Sequence, residues 1–112
     1  MLTEEDIRLV STVLSALGNP TRLRIVELVS KTERPLHIKA VAEILEKDYA
    51  AVYRHIKVLQ EAGLLKIYEV GRSRVLHPKE AGLIEKFVKL AKKTMKKEWY
   101  YLQKTNIILR KK

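Results

Sequence analysis

The chain has 112 residues, 46% of them apolar, which is one domain's length with enough apolar side chains for a core and too many for a disordered tail. It has no cysteine, which excludes disulfides and thiolate metal sites. A net charge of +10 suits a polyanionic partner, nucleic acid before an anionic membrane surface.

Thr3 and Asp6 form a capping-box pattern, with Asp in place of the usual Glu or Gln. Ile7, Val10, Val13, Leu14 and Leu17 then recur on one face of a first helix. Gly18 is expected to end it in the left-handed conformation that glycine tolerates. Asn19 and Pro20 start the next helix, Asn as the cap and Pro at the first helical position, where its missing N–H costs nothing. Leu23, Ile25, Val26, Leu28 and Val29 carry that helix to about residue 31. Arg22 on it is expected to pair with a nearby carboxylate.

Residues 31–36 make a polar connection containing Pro35. A third helix is expected over about 37–45, with Ile38, Val41, Ala42 and Leu45 inward. Glu46, Lys47 and Asp48 form a short turn, and Asp48 caps a fourth helix. Val52, Ile56 and Leu59 give that helix a single apolar stripe, and Gly63 stops it. Residues 64–70 are rich in strand formers, residues 71–73 turn, and residues 74–77 return, which predicts a hairpin. A last helix is expected from about 79 to 103, with Ile84, Phe87, Ala91, Met95, Trp99 and Leu102 roughly in period. The conformation of residues 105–112 stays open.

The order helix, helix, short helix, turn, helix, hairpin, helix predicts a mainly α fold with a β-hairpin wing, a winged helix-turn-helix with five helices. With the stripe inward, Tyr49, Ala50, Tyr53, Arg54 and Lys57 fall on or near the opposite face of the fourth helix, here taken as residues 48–62. Arg54 could donate two parallel bonds to a guanine edge, and the tyrosines could bond phosphate or pack on a thymine methyl. Ala50 permits close approach to a major groove. Arg72 and Arg74 at the hairpin tip suit minor-groove or phosphate contact.

Leu17-Gly18-Asn19-Pro20-Thr21-Arg22, then Arg54-His55-Ile56 with Leu59 and Ala62-Gly63-Leu64-Leu65, then Glu69-Val70-Gly71-Arg72, together resemble the ArsR/SmtB-type winged helix-turn-helix regulators over about residues 12–78. The resemblance implies a homodimer joined through its first and last helices, whose recognition helices enter successive major grooves of double-stranded DNA about 34 Å apart. It places the interface on residues 3–17 and 79–103, with Val10, Val13, Leu14, Phe87, Ala91, Met95, Trp99 and Leu102 as candidates. It places base contacts on Tyr49, Ala50, Tyr53 and Arg54. The family's usual small or amide-bearing residues there are tyrosines here, so the operator sequence does not carry over.

The family's thiolate metal site maps to His37 and Lys39, and an ammonium is no ligand. Its second metal site uses Asp and His on the last helix, and residues 79–103 contain neither. The sequence therefore predicts a variant without metal or cofactor, and it names no small-molecule effector. His37, His55 and His77 lie on separate elements, with His55 expected to pack or to contact phosphate.

One domain is expected over 1–112: a dimerisation helix at 1–17, a DNA-binding core at 18–78 with the wing at 65–77, and a helix with a basic tail at 79–112. Residues 1–78 carry 12 Lys and Arg against 10 Asp and Glu, whereas residues 79–112 carry 11 against 3. The excess therefore lies outside the reading motif. Acidic Glu4, Glu5 and Asp6 stand where a signal peptide has a basic start, and no apolar run nears the roughly 18 residues of a membrane span, so a cytoplasmic protein is expected. Many Lys and Glu beside two Gln and two Asn fit a thermophile's composition. No nucleophile–base set, paired carboxylates or phosphate-cradling loop suggests an enzyme. The competing function is a winged-helix interaction subunit of a larger assembly, with no DNA specificity of its own.

Overall fold

The computed structural model describes residues 1–80 and 82–95. Residues 1–81 form one compact unit, and the helix that follows belongs to a second. The first unit contains α1 (Glu4–Leu17), α2 (Pro20–Lys31), β1 (Leu36–His37), α3 (Ile38–Leu45), α4 (Tyr49–Glu61), β2 (Leu65–Val70) and β3 (Ser73–Pro78); the second contains α5 (Leu83–Thr94).

The helix starts follow from their caps. At α1 the Thr3 hydroxyl accepts from the Asp6 N–H and the Asp6 carboxylate accepts from the Thr3 N–H, both at 3.0 Å. These bonds hold the Asp6 carboxyl below the usual carboxylate range, the backbone N–H of Thr3 contributing most. At α2 the Asn19 side chain accepts from the Arg22 N–H at 3.1 Å, with Pro20 in the first turn. At α4 the Asp48 carboxylate accepts from the Ala51 N–H.

Gly18 departs from expectation. Its φ is −77°, outside the left-handed region. Glycine is suited there by space: a Cβ would stand 3.2 Å from the Leu14 carbonyl oxygen. Among the described residues the non-glycine residue with a left-handed backbone is Glu46, with φ 53° in the turn between α3 and α4. The Lys47 N–H donates back to the Ala42 carbonyl at 3.0 Å, as a helix-ending turn with a left-handed residue requires. A side chain with a Cβ is strained in that conformation. Glu46→Gly is expected to stabilise the chain by roughly 0.5–1 kcal/mol, visible as a raised midpoint in thermal unfolding.

The core of the first unit lies where α2, α3 and α4 meet the sheet. Ile25, Val41, Val52, Ile56, Leu59 and Leu76 are fully buried. The sheet has three antiparallel strands in the order β1-β3-β2, not the hairpin alone. Leu36 pairs with Leu76 and His37 with Val75, so the end of the 31–36 connection is a strand. β2 and β3 pair from Leu65 opposite Pro78 to Val70 opposite Ser73. Gly71 and Arg72 connect them, and Gly71 takes φ 62°, the sign a two-residue hairpin turn needs at its first position. α5 begins at Leu83, after Gly82 with φ 81°, and so starts later than the expected residue 79. The expected continuation to 103 lies outside the described residues.

Candidate nucleic-acid interface

α4 presents two faces of different chemistry. Val52, Ile56 and Leu59 have no exposed surface, because the stripe seats on the core. Ala50 and Arg54 are exposed, Tyr49 is 41% exposed, and Tyr53 and Lys57 are half-buried. The Lys57 ammonium donates to the Gln60 side-chain oxygen at 2.9 Å, one turn along the same helix.

Three of the candidate side chains form a ladder. The Tyr49 and Tyr53 rings stack with centroids 6.3 Å apart and planes 7° from parallel. Above Tyr53 lies the Arg74 guanidinium, 5.1 Å from the ring centroid. A cation over an aromatic face gains about 0.5–1 kcal/mol at an exposed site. This contact joins β3 to α4 and gives the wing a fixed station beside the helix. Arg72, in the turn, is exposed. None of these contacts involves Arg54, which is exposed and free to donate a bidentate pair.

Between the wing and the helix-turn-helix runs a groove of about 450 Å³, lined by His37 and Lys39 at the start of α3, Tyr49 of α4, and Glu69, Gly71, Arg72, Ser73 and Arg74 of the wing. His37 and Lys39 entered the sequence reading only as positions of an absent metal site. The pairing of β1 with β3 carries them to the wing, and a two-residue strand leaves no periodic signal from which this could be foreseen. Among the described residues no group of three or more His, Cys, Asp and Glu side chains is disposed to hold a metal ion.

Arg22 of α2 and His55 of α4 meet each other. Arg22 meets no carboxylate within ion-pair distance among the described residues. Its guanidinium instead donates from Nε to the Ala16 carbonyl at 2.6 Å and from Nη2 to the Ser15 carbonyl at 3.3 Å, and contacts Nδ1 of His55 at 3.2 Å. Guanidinium is only a donor, so His55 Nδ1 accepts and the ring is neutral with its proton on Nε2. Burial depresses the His55 pKa below the ordinary 6.5, and the charges of Arg22, Lys47 and Arg54 depress it further. His55 is thus a packing residue that ties α4 to the end of α1.

Both terminal helices carry uncovered apolar side chains. On α1, Ile7 is 46%, Val10 48% and Leu14 52% exposed, with Val13 half-buried. On α5, Met95 and Ala91 are exposed and Phe87 is half-buried. Trp99 and Leu102 lie outside the described residues.

Residues 17–68 match a family model described as a helix-turn-helix domain. Solved structures share the fold. HlyU from Vibrio cholerae N16961 is 17% identical with a TM-score of 0.65, over 82% of this chain and 97% of that one. The homodimeric winged helix-turn-helix DNA-binding domain of Mb0332 from Mycobacterium bovis, a possible ArsR-family transcriptional regulator, is 17% identical with a TM-score of 0.69, over 80% and 84%. NolR from Sinorhizobium fredii is 18% identical with a TM-score of 0.67, over 84% and 94%. No curated protein sequence matches the chain. Among the described residues the fold is a winged helix-turn-helix with five helices and a three-stranded sheet. A possible ArsR-family transcriptional regulator is thus among the proteins that share this fold.

Proposed function

We propose that the chain is a homodimeric, sequence-specific DNA-binding transcription regulator that represses by occupying its operator, with residues 48–62 in the major groove and the wing on the minor groove or phosphates. One observation carries the reading. α4 buries Val52, Ile56 and Leu59 completely while Tyr49, Ala50 and Arg54 stay exposed, beside a wing whose tip bears Arg72 and Arg74. That is the division of labour a groove-reading helix requires. The helix-turn-helix match and the homodimeric DNA-binding domain among the similar structures support it. So do the uncovered apolar faces of α1 and α5, which give a second copy something to cover. No described helix is long and apolar enough to cross a membrane, which is consistent with a cytoplasmic regulator.

Selection from random duplexes followed by binding titration tests the reading. An enriched sequence with two half-sites about 34 Å apart is expected. On it Arg54→Ala should cost roughly 1–3 kcal/mol while weakening random duplex far less. Equal affinity of the wild-type chain for selected and random duplex would remove sequence reading from its function. Failure to bind either, with the same face taken up by another protein, would make it an interaction subunit.

A further inference from the structure

We propose that the groove between the start of α3 and the wing is a phosphate-binding site, with Lys39 and Arg72 as its cationic ligands, and that the phosphate it takes belongs to the DNA backbone. The proposal rests on the DNA-binding reading above and extends it to a residue outside the helix-turn-helix reading face.

Three cations from two separate elements border the groove: Lys39 from α3, and Arg72 and Arg74 from the wing. Arg74 is committed, because its guanidinium lies over the Tyr53 ring. Lys39 and Arg72 are exposed and have no carboxylate within 4.0 Å among the described residues. Glu69 also borders the groove, so Lys39, Arg72 and Arg74 against Glu69 leave an excess of +2 on its walls. Glu69 stands opposite Arg74 in the strand register yet makes no ion pair with it among the described residues. The cations are thus not neutralised within the chain. Tyr49 and Ser73 add hydroxyl donors to the same walls, and side-chain hydroxyls are regular phosphate partners. About 450 Å³ is room for a phosphate group with part of its hydration shell, and the wall is too polar for an apolar ligand. Because Tyr49 belongs to both the groove and the exposed face of α4, a backbone phosphate seated here lies beside the bases that α4 would read. Such a contact sets position without reading sequence.

The test uses the full chain and fluorescence anisotropy on the selected duplex and a random one, titrated at salt concentrations from about 50 to about 200 mM. Lys39→Gln is expected to weaken binding to both duplexes alike, about 3- to 10-fold, and to lower the salt slope by about 0.9 for each protomer bound. Lys31→Gln removes the same charge from α2, where Lys31 pairs with Glu27 at 3.1 Å, and should leave the slope near that of wild type. An unchanged slope for Lys39→Gln overturns the proposal and leaves the DNA reading intact, as does a loss confined to the selected duplex. If the wild-type chain binds no duplex, inorganic pyrophosphate separates the two failures. Saturable shifts of the Lys39 and Arg72 amide signals in wild type, absent in Lys39→Gln, support the site with a free phosphate compound as its ligand. No saturable shift overturns it.

Discussion

Replacing Leu14 with glutamate should leave the chain folded, monomeric and nearly unable to hold its operator. Leu14 is 52% exposed on α1, so a carboxylate there can reach water in the isolated chain at little cost to internal packing. In the proposed dimer the same carboxylate would sit in an apolar seam, and burying an unpaired charge costs several kcal/mol. Two linked reading heads gain about 10²–10⁴ over one through effective concentration, and a monomer forfeits that factor. Light scattering after size exclusion reads the mass, circular dichroism the fold, and anisotropy the affinity. Leu14→Met, which keeps the seam apolar, should behave as wild type. A Leu14→Glu chain that remains a dimer, or a wild-type chain that is a monomer both free and on duplex, would end the dimer reading.

Arg22→Ala should destabilise the chain about as much as loss of a core side chain, although Arg22 is no part of the apolar core. The guanidinium closes the end of α1 by donating to the Ala16 and Ser15 carbonyls, at a point where a helix end has carbonyls without partners. It also holds Nδ1 of His55 on α4. Hydrogen bonds from charged groups are worth about 1.5–3 kcal/mol each, and the set is shared and part-exposed, so a loss of about 2–4 kcal/mol is expected in denaturant unfolding. Arg22→Lys should recover little, because an ammonium cannot reach three acceptors with a planar fork. The burial of His55, with the Arg22 charge second, also gives stability a pH dependence. His55 has a folded pKa below its unfolded value of 6.5. As pH falls beneath 6.5 the unfolded chain takes up a proton that the folded chain resists, so stability is full above that value and declines until the folded pKa is passed. Against His55→Gln, which does not titrate, the wild-type chain should lose ground between pH 7 and pH 5. A stability gap that is constant over that range would show that His55 is not held half-buried and neutral beside Arg22 in solution.

The parts of the fold that were legible in the sequence are those fixed by neighbours in the chain. Thr3 with Asp6, Asn19 with Pro20, and Asp48 before Tyr49 are contacts within three residues, and each marks a helix start that the structure repeats. The stripe of Val52, Ile56 and Leu59 needed only the helical period. What escaped depended on distance along the chain or on an unusual backbone. Arg22 and His55 are 33 residues apart, and nothing local tells an arginine that its partners are carbonyls and an imidazole instead of a carboxylate. Arg74 meets Tyr53 only because the wing folds back on α4. Glu46 is no turn former by type, so its left-handed conformation is imposed by the helices on either side. Gly82 caps α5 with no side-chain hydrogen bond, so no local pattern marks a start later than residue 79. The buried and exposed sides of α4 were therefore visible residue by residue, while the groove beside it was not, since His37 and Lys39 come to the wing through β1.

That two-residue strand has a consequence for how the molecule can change. Leu36 and His37 are pinned to Leu76 and Val75, and α3 begins at the very next residue. The exposed stretch just ahead of them, Glu33, Arg34 and Pro35, can therefore grow or shrink as surface loops do without transmitting the added length to anything downstream. Evolution, or an engineer, has a splice point there for grafting an extra segment onto the protein while the machinery after residue 36 keeps its alignment.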